Sequence, residues 1–257
     1  MRKTVLSLMV LVLVATTAWA ELVRRGPILI TSDQDFTPEN GVVGGWGVFG
    51  DPYIISGVRI DAGGDDYGIL ISGTSRPVLI RDVEVLGART AGIKVQSAKG
   101  VTIEDVRVRG CAVGISAFLS TEVIVSRAWI EECPDGVRLV FSSGVDLYDL
   151  HVSRCRTGVW FAGTTGSLLA GSVIEACDLG VVVELGCEGI VVAQNAFLGC
   201  RLPARSDGGA AWDNGVRGNY WEGFVSPDED GDGILDKPYP VGPEEEDRFP
   251  LASWSEL

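Results

Sequence analysis

Soft metal donors are scarce in this chain. It has two methionines, Met1 and Met9, a single histidine, His151, and six cysteines. Copper(I) is held by thioether, thiolate and imidazole groups, so a dedicated copper cluster has few residues to draw on. Beyond residue 20 there is no apolar run long enough to cross a bilayer. Helical periodicity is also missing there, which excludes a bundle or an α/β layout. Basic residues are outnumbered, with 21 Lys and Arg against 35 Asp and Glu, for a formal net charge of −14 at pH 7. So acidic a body repels phosphate backbones and anionic lipid, and nucleic acid is not an expected partner. Solubility alone would also account for the acidity.

What is present begins with a leader. Arg2 and Lys3 precede a nearly continuous apolar stretch from Val5 to Ala15, and Ala18-Trp19-Ala20 has the small residues of a cleavage point. Residues 1–20 therefore read as a secretory signal peptide, released after Ala20, with a retained N-terminal anchor as the alternative. The mature chain is expected to be secreted or periplasmic, with no membrane span once the leader has gone.

The remainder is periodic. Glycine recurs at Gly92, Gly114, Gly136, Gly158 and Gly180, and cysteine at Cys111, Cys133, Cys155 and Cys177, a spacing of 22 residues. A period in this range marks stacked units, none of which can bury its apolar face alone. Each unit holds three short alternating runs with apolar odd positions, as in Ile93/Val95, Val101/Ile103 and Val106/Val108. Alternation with β-branched residues marks strands buried on one face. The same phase places Gly189/Val191 and Asn195/Phe197 inward in the last unit, which is one residue longer.

The expected fold is thus all-β: a right-handed, single-stranded parallel β-helix of about 22 residues and three strands per coil. The glycines are expected to mark its corners. Residues 1–20 being the signal peptide, 21–66 are read as N-terminal cap and first coils, 67–201 as the coils, and 202–257 as a C-terminal cap. Both ends need covering because open strand edges invite aggregation. Cysteines stacked one coil apart with parallel Cβ vectors suit a buried ladder rather than disulfides. Cys200 is the expected last rung, and Cys187 lies off the ladder.

The tail carries Asp228-Glu-Asp230-Gly-Asp232-Gly233-Ile234-Leu-Asp236. Hard cations want several oxygen ligands, and alternate residues of a tight turn can aim theirs at one centre. Asp228, Asp230, Asp232 and Asp236 through carboxylates, and Ile234 through its carbonyl, are the candidate calcium ligands. Tyr239 stands where a full EF-hand has a bidentate glutamate, and Pro238 blocks an exit helix, so the calcium is expected to be structural. An acidic solvated turn is the competing account. Along the outward rows, Phe118, Trp129 and Trp160, with Arg138 and His151, form a candidate ligand-binding surface. Amphipathic rings on a rigid face can stack on sugar rings. No strand row sets two acids close together with a base, so no catalytic residue is assigned.

Three stretches of the tail are familiar: Trp212-Asp-Asn214-Gly-Val-Arg-Gly218-Asn219-Tyr220-Trp221, the Asp-rich loop with Pro238-Tyr239, and Asp247-Arg-Phe249-Pro-Leu251. They resemble the end of NosD-like right-handed β-helix proteins, of the pectate-lyase-like superfamily and often called periplasmic copper-binding. Gly26-Pro-Ile28-Leu-Ile30, Asp35-Phe36 and Asp51-Pro52-Tyr53-Ile54-Ile55 resemble that family's opening cap. The resemblance implies a secreted or periplasmic β-helix of the carbohydrate-binding and sugar-hydrolase type, and NosD itself is linked to maturation of a copper reductase.

Taken together, these residues lead us to expect an exported, non-catalytic β-helix that binds a polysaccharide or a cell-envelope protein and carries a structural calcium. A polysaccharide lyase or hydrolase is the alternative, and a periplasmic copper accessory protein a further one. Copper itself is not expected, because both methionines leave with the leader and the ladder cysteines point inward.

Overall fold

The computed structural model describes residues 22–242 and 244–256, so the leader assigned to residues 1–20 lies outside it. Parallel strands stack into about 8 turns of a right-handed β-solenoid, with about 22 residues to each turn. An 8-stranded sheet carries the first run of each coil, and a 14-stranded sheet carries the second and third. Register advances by whole coils: Val137 pairs with Ile115 on one side and with Val159 on the other.

In the middle coils the second and third runs form one strand, as at Lys99–Arg109 and Thr121–Glu131. Between the two runs each of these bends at a left-handed residue, Asp105 at φ 51° and Arg127 at φ 49°. Farther along the two runs separate, as at Ser143–Tyr148 and His151–Ser153. The corner after the third run also turns on one left-handed residue, such as Glu132 or Arg154, whereas the corner after the first run uses two, as in Leu119 with Glu122 and Phe141 with Gly144.

That conformation costs an L-residue about 1–2 kcal/mol, so something must hold it. At the corners after the first and third runs the next residue along is buried and bonds to the backbone. Ser120 Oγ accepts from the Ala98 N–H at 3.3 Å and donates to the Phe118 carbonyl at 3.0 Å. Ser142 repeats the arrangement one coil on. Cysteines do the same at the third corner: Cys111 Sγ accepts from Ala88 N–H at 3.3 Å, and Cys133 Sγ donates to the Glu131 carbonyl at 3.4 Å. All six cysteines are free, and only Cys200 is more than slightly exposed.

The periodic glycines are not at the corners. Gly92, Gly114, Gly136, Gly158 and Gly180 lie buried, second in the first strand of each coil. Their cause is crowding: a Cβ at Gly136 would come 2.5 Å from Val152 Cγ1 and 2.6 Å from the Gly158 carbonyl oxygen. One core pair is also displaced. Ile190 and Val192, not Gly189 and Val191, face inward, because the extra residue of that coil falls before the strand and Val192 aligns with Leu169.

At the N-terminal end, Val23–Arg25 and Ile28–Ile30 pair in parallel with Val58–Ile60 and Ile69–Ile71, and Val42–Gly44 runs antiparallel to Ile54–Ile55. At the far end, Leu202–Ser206, Ala210–Ala211 and Tyr220–Trp221 add a looser turn. The following segment folds over it, with Tyr239 stacked on Trp221 at 4.1 Å and Trp221 on Phe197 at 4.5 Å.

Candidate functional site

Three places collect the side chains singled out above. The first is the outer face of the third run. There Trp129 pairs in register with His151, and their rings stack at 4.3 Å with 19° between planes. Trp129 is 55% exposed, and on the side away from His151 it pairs in register with Arg107. His151 Nε2 lies 3.4 Å from Glu175 Oε2. Burial nonetheless pulls its imidazole below the ordinary value, with Glu175 opposing. Beside the stack opens a groove of about 440 Å³, lined by Arg59, Glu84, Arg107, Arg109 and Glu131. Its carboxylates are engaged: Glu84 pairs with Arg59 at 2.9 Å, and Glu131 is bonded by Arg154 and lies 3.9 Å from Arg109.

Phe118, Arg138 and Trp160 occupy a different face, the outside of the 8-stranded sheet. Arg138 aligns with Trp160, and its guanidinium lies 4.4 Å from the ring centre. Arg138 Nε and Trp160 Nε1 are buried and have no hydrogen-bond partner among the described residues. Phe118 meets Phe141 edge-on at 6.5 Å, with the Lys94 ammonium 5.7 Å from its centroid. The five surface residues therefore form two clusters on separate faces.

The third place is the Asp-rich loop. Carboxylate oxygens of Asp228, Asp230 and Asp232 lie within 4.8 Å of one another, the one such group of potential metal ligands among the described residues. The loop closes on itself: Asp228 accepts from Gly231, Asp232 and Gly233 N–H groups at 2.9, 3.2 and 3.1 Å. Asp236 is outside that group, with its Oδ2 accepting from Glu229 N–H at 3.2 Å. Ile234 forms a bridge to Leu251, which ties the loop to the end of the chain.

The tail motif has its own organisation, centred on Asp247. This residue has no exposed surface and accepts from Asn219 N–H at 2.6 Å, Trp221 Nε1 at 2.8 Å and Phe249 N–H at 3.0 Å. Desolvation pushes its carboxyl up to about 6, against the pull of those donors. The carboxylate rests on Gly218, where a Cβ would overlap it. Asn219 Oδ1 in turn accepts from Asn195 N–H at 3.1 Å, and Asn195 Oδ1 from Ser172 N–H at 3.0 Å. Asp213 and Arg248 close the outer side at 2.5 Å.

Sequence reasoning did not single out the arginine-lined groove beside Trp129. Arg59, Glu84, Arg107 and Trp129 are register partners along one outward row of four coils, which the period already aligns. What the row does not reveal is that Arg109 and Glu131, two positions along their strands, close a groove beside it.

A family model described as "Periplasmic copper-binding protein (NosD)" matches residues 39–226. The match includes the Trp212–Trp221 stretch and stops before the Asp-rich loop. No curated protein matches the chain. Among solved structures, an alginate lyase from Paenibacillus sp. str. FPU-7 is similar at 14% identity, with a TM-score of 0.54 over 76% of each chain. At that identity the likeness is one of fold.

Proposed function

The chain belongs to the NosD family, and from that premise we propose that it is an extracytoplasmic β-helix that binds a polysaccharide without cleaving it. The observation that carries this reading is the half-exposed Trp129, held flat by His151 at the rim of a groove of alternating arginine and glutamate. An aromatic platform beside fixed polar groups suits a sugar ring, with its apolar face and hydroxyl edge. Both groove carboxylates are held by guanidinium groups, whereas a glycosidase needs one carboxyl free to give up a proton.

The test is a panel of acidic and neutral polysaccharides incubated with the chain from Glu21 onward. Trp129→Ala is expected to weaken binding about tenfold, an aromatic-stacking loss of the order given for such contacts. Release of oligosaccharides would overturn the non-catalytic reading and favour a lyase or hydrolase, in keeping with the fold of the alginate lyase.

The Asp-rich loop is proposed as a structural calcium site, resting on the grouping of Asp228, Asp230 and Asp232. Chelation is expected to lower the melting temperature by a few degrees, and Asp230→Ala to abolish that response. A midpoint indifferent to chelator overturns the calcium reading.

The described residues do not fit the copper of the family's description. The ladder thiols are buried and donate to backbone carbonyls, and His151 belongs to no group of potential metal ligands among the described residues. The grouped ligands are carboxylate oxygens, which suit hard cations.

A further inference from the structure

The N-terminal cap carries a feature that neither the coils nor the groove uses. Between Gly44 and Tyr53 the chain forms a short finger, closed by paired bonds between Val48 and Asp51 at 3.1 and 2.9 Å. Its tip presents Phe49, 100% exposed, and Trp46, 78% exposed, with Val43 and Val48 also open to solvent. No other stretch of similar length among the described residues exposes as many large apolar side chains.

The base of the finger packs closely on the strand that follows it. Gly45 and Gly47 have φ of 86° and 63°, and a Cβ on either would overlap Pro52 or the Tyr53 ring. Beneath it, Tyr53 stacks on Phe36 at 4.2 Å. The fold therefore holds two aromatic rings away from every core they could join. Isolated exposed apolar residues are ordinary, but a protruding cluster of them marks a contact site.

We propose that this finger inserts into the interfacial region of a lipid bilayer and holds the rod end-on at a membrane surface. Its position supports a lipid occupant. Val23–Arg25 and Val42–Gly44 both occupy the outer edge of strand Tyr53–Asp61, whose other edge pairs with Val78–Leu86. The finger and the start of the described chain thus share one end face. The apolar stretch Val5–Ala15 ends seven residues before Leu22, at most ~25 Å of extended chain away. The apolar stretch therefore enters the described chain at this same end face. Tryptophan prefers the headgroup boundary, and a convex tip suits a yielding lipid surface. With a net charge of −14, the body favours neutral over anionic headgroups.

The test uses the chain from Glu21, which lacks the apolar stretch, with vesicles of zwitterionic phosphatidylcholine. The protein is expected to float with the vesicles, and acyl-chain bromination to quench part of its tryptophan emission. In the double variant W46S/F49S, partitioning should fall at least tenfold while the thermal midpoint stays unchanged. Two results would overturn the proposal: wild-type protein left in the aqueous fraction, or a double variant that floats as well. Failure of polysaccharide binding would leave this result untouched, since the finger and the groove share no residue.

Discussion

Asp247→Ala is expected to destabilise the protein by about 3–5 kcal/mol, the largest loss from any single side chain of the C-terminal cap. Two buried N–H donors, from Asn219 and Trp221, and the half-buried Phe249 N–H lose their acceptor together. An unmet buried donor costs about 1–3 kcal/mol, and relief of the carboxylate's own desolvation returns only part of the sum. Limited proteolysis should show cleavage after Tyr220 or Trp221 before the coils are touched. A variant as resistant and as stable as wild type would mean that water replaces the carboxylate and that the cap does not depend on it.

The same residue carries a pH signature. Its folded carboxyl is raised to about 6 from an unfolded value of 3.8. The folded state therefore binds the proton more readily, and stability from this group is full below about 4 and lost as pH rises through 6. The ceiling on that change is about 3 kcal/mol. His151 acts the other way, since its lowered value costs stability as pH falls through its ordinary range. Subtracting the Asp247→Ala curve from that of wild type removes the histidine contribution. The difference should narrow as pH rises from 4 to 7, and a flat difference would place the Asp247 carboxyl near its ordinary value.

Gly136→Ala is the second large effect, expected at about 3 kcal/mol for the addition of one methyl group. The new carbon would meet the Val152 methyl and the Gly158 carbonyl oxygen inside contact distance. That carbonyl belongs to a backbone fixed by the coil spacing, so coils must part or slide, and overpacking of this kind costs about 1–3 kcal/mol or more. The midpoint should fall by about 6–12 °C for a domain of this size. Gly26→Ala is the control: there is open space around it and its φ is not left-handed, so it should stay within about 0.5 kcal/mol of wild type. Equal midpoints for the two variants would mean that the glycine column is not set by crowding.

The coils were legible in the sequence because alternation and a fixed period are local properties, readable without knowing any contact. Strand rows such as Trp129 with His151 followed at once from the period. The role of the glycines was not legible, because a recurring glycine looks the same whether it turns the chain or makes room for the next coil. Nor was the role of Asp247. The motif around it stood out, yet two of the three groups it satisfies lie 26 and 28 residues upstream, and nothing local points to them. In the Asp-rich loop, alternate spacing brings Asp228, Asp230 and Asp232 together, while Asp236 bonds the Glu229 N–H and shares a cavity with Asp230 and Asp232.

The second corner of each coil changes character along the rod. Its inward residue is Val83, Val106, Ala128 and Leu150 in turn, then Ser172, Asn195 and Asn219. Near-identical repeats could mispair by a whole coil during folding and still bury most of their apolar surface. Here such a slip would set Asn195 or Asn219 against an apolar neighbour, with buried amides unmet at a few kcal/mol each. The graded corner therefore favours a single register of the coils, with the C-terminal segment seated on the one that ends in Asn219.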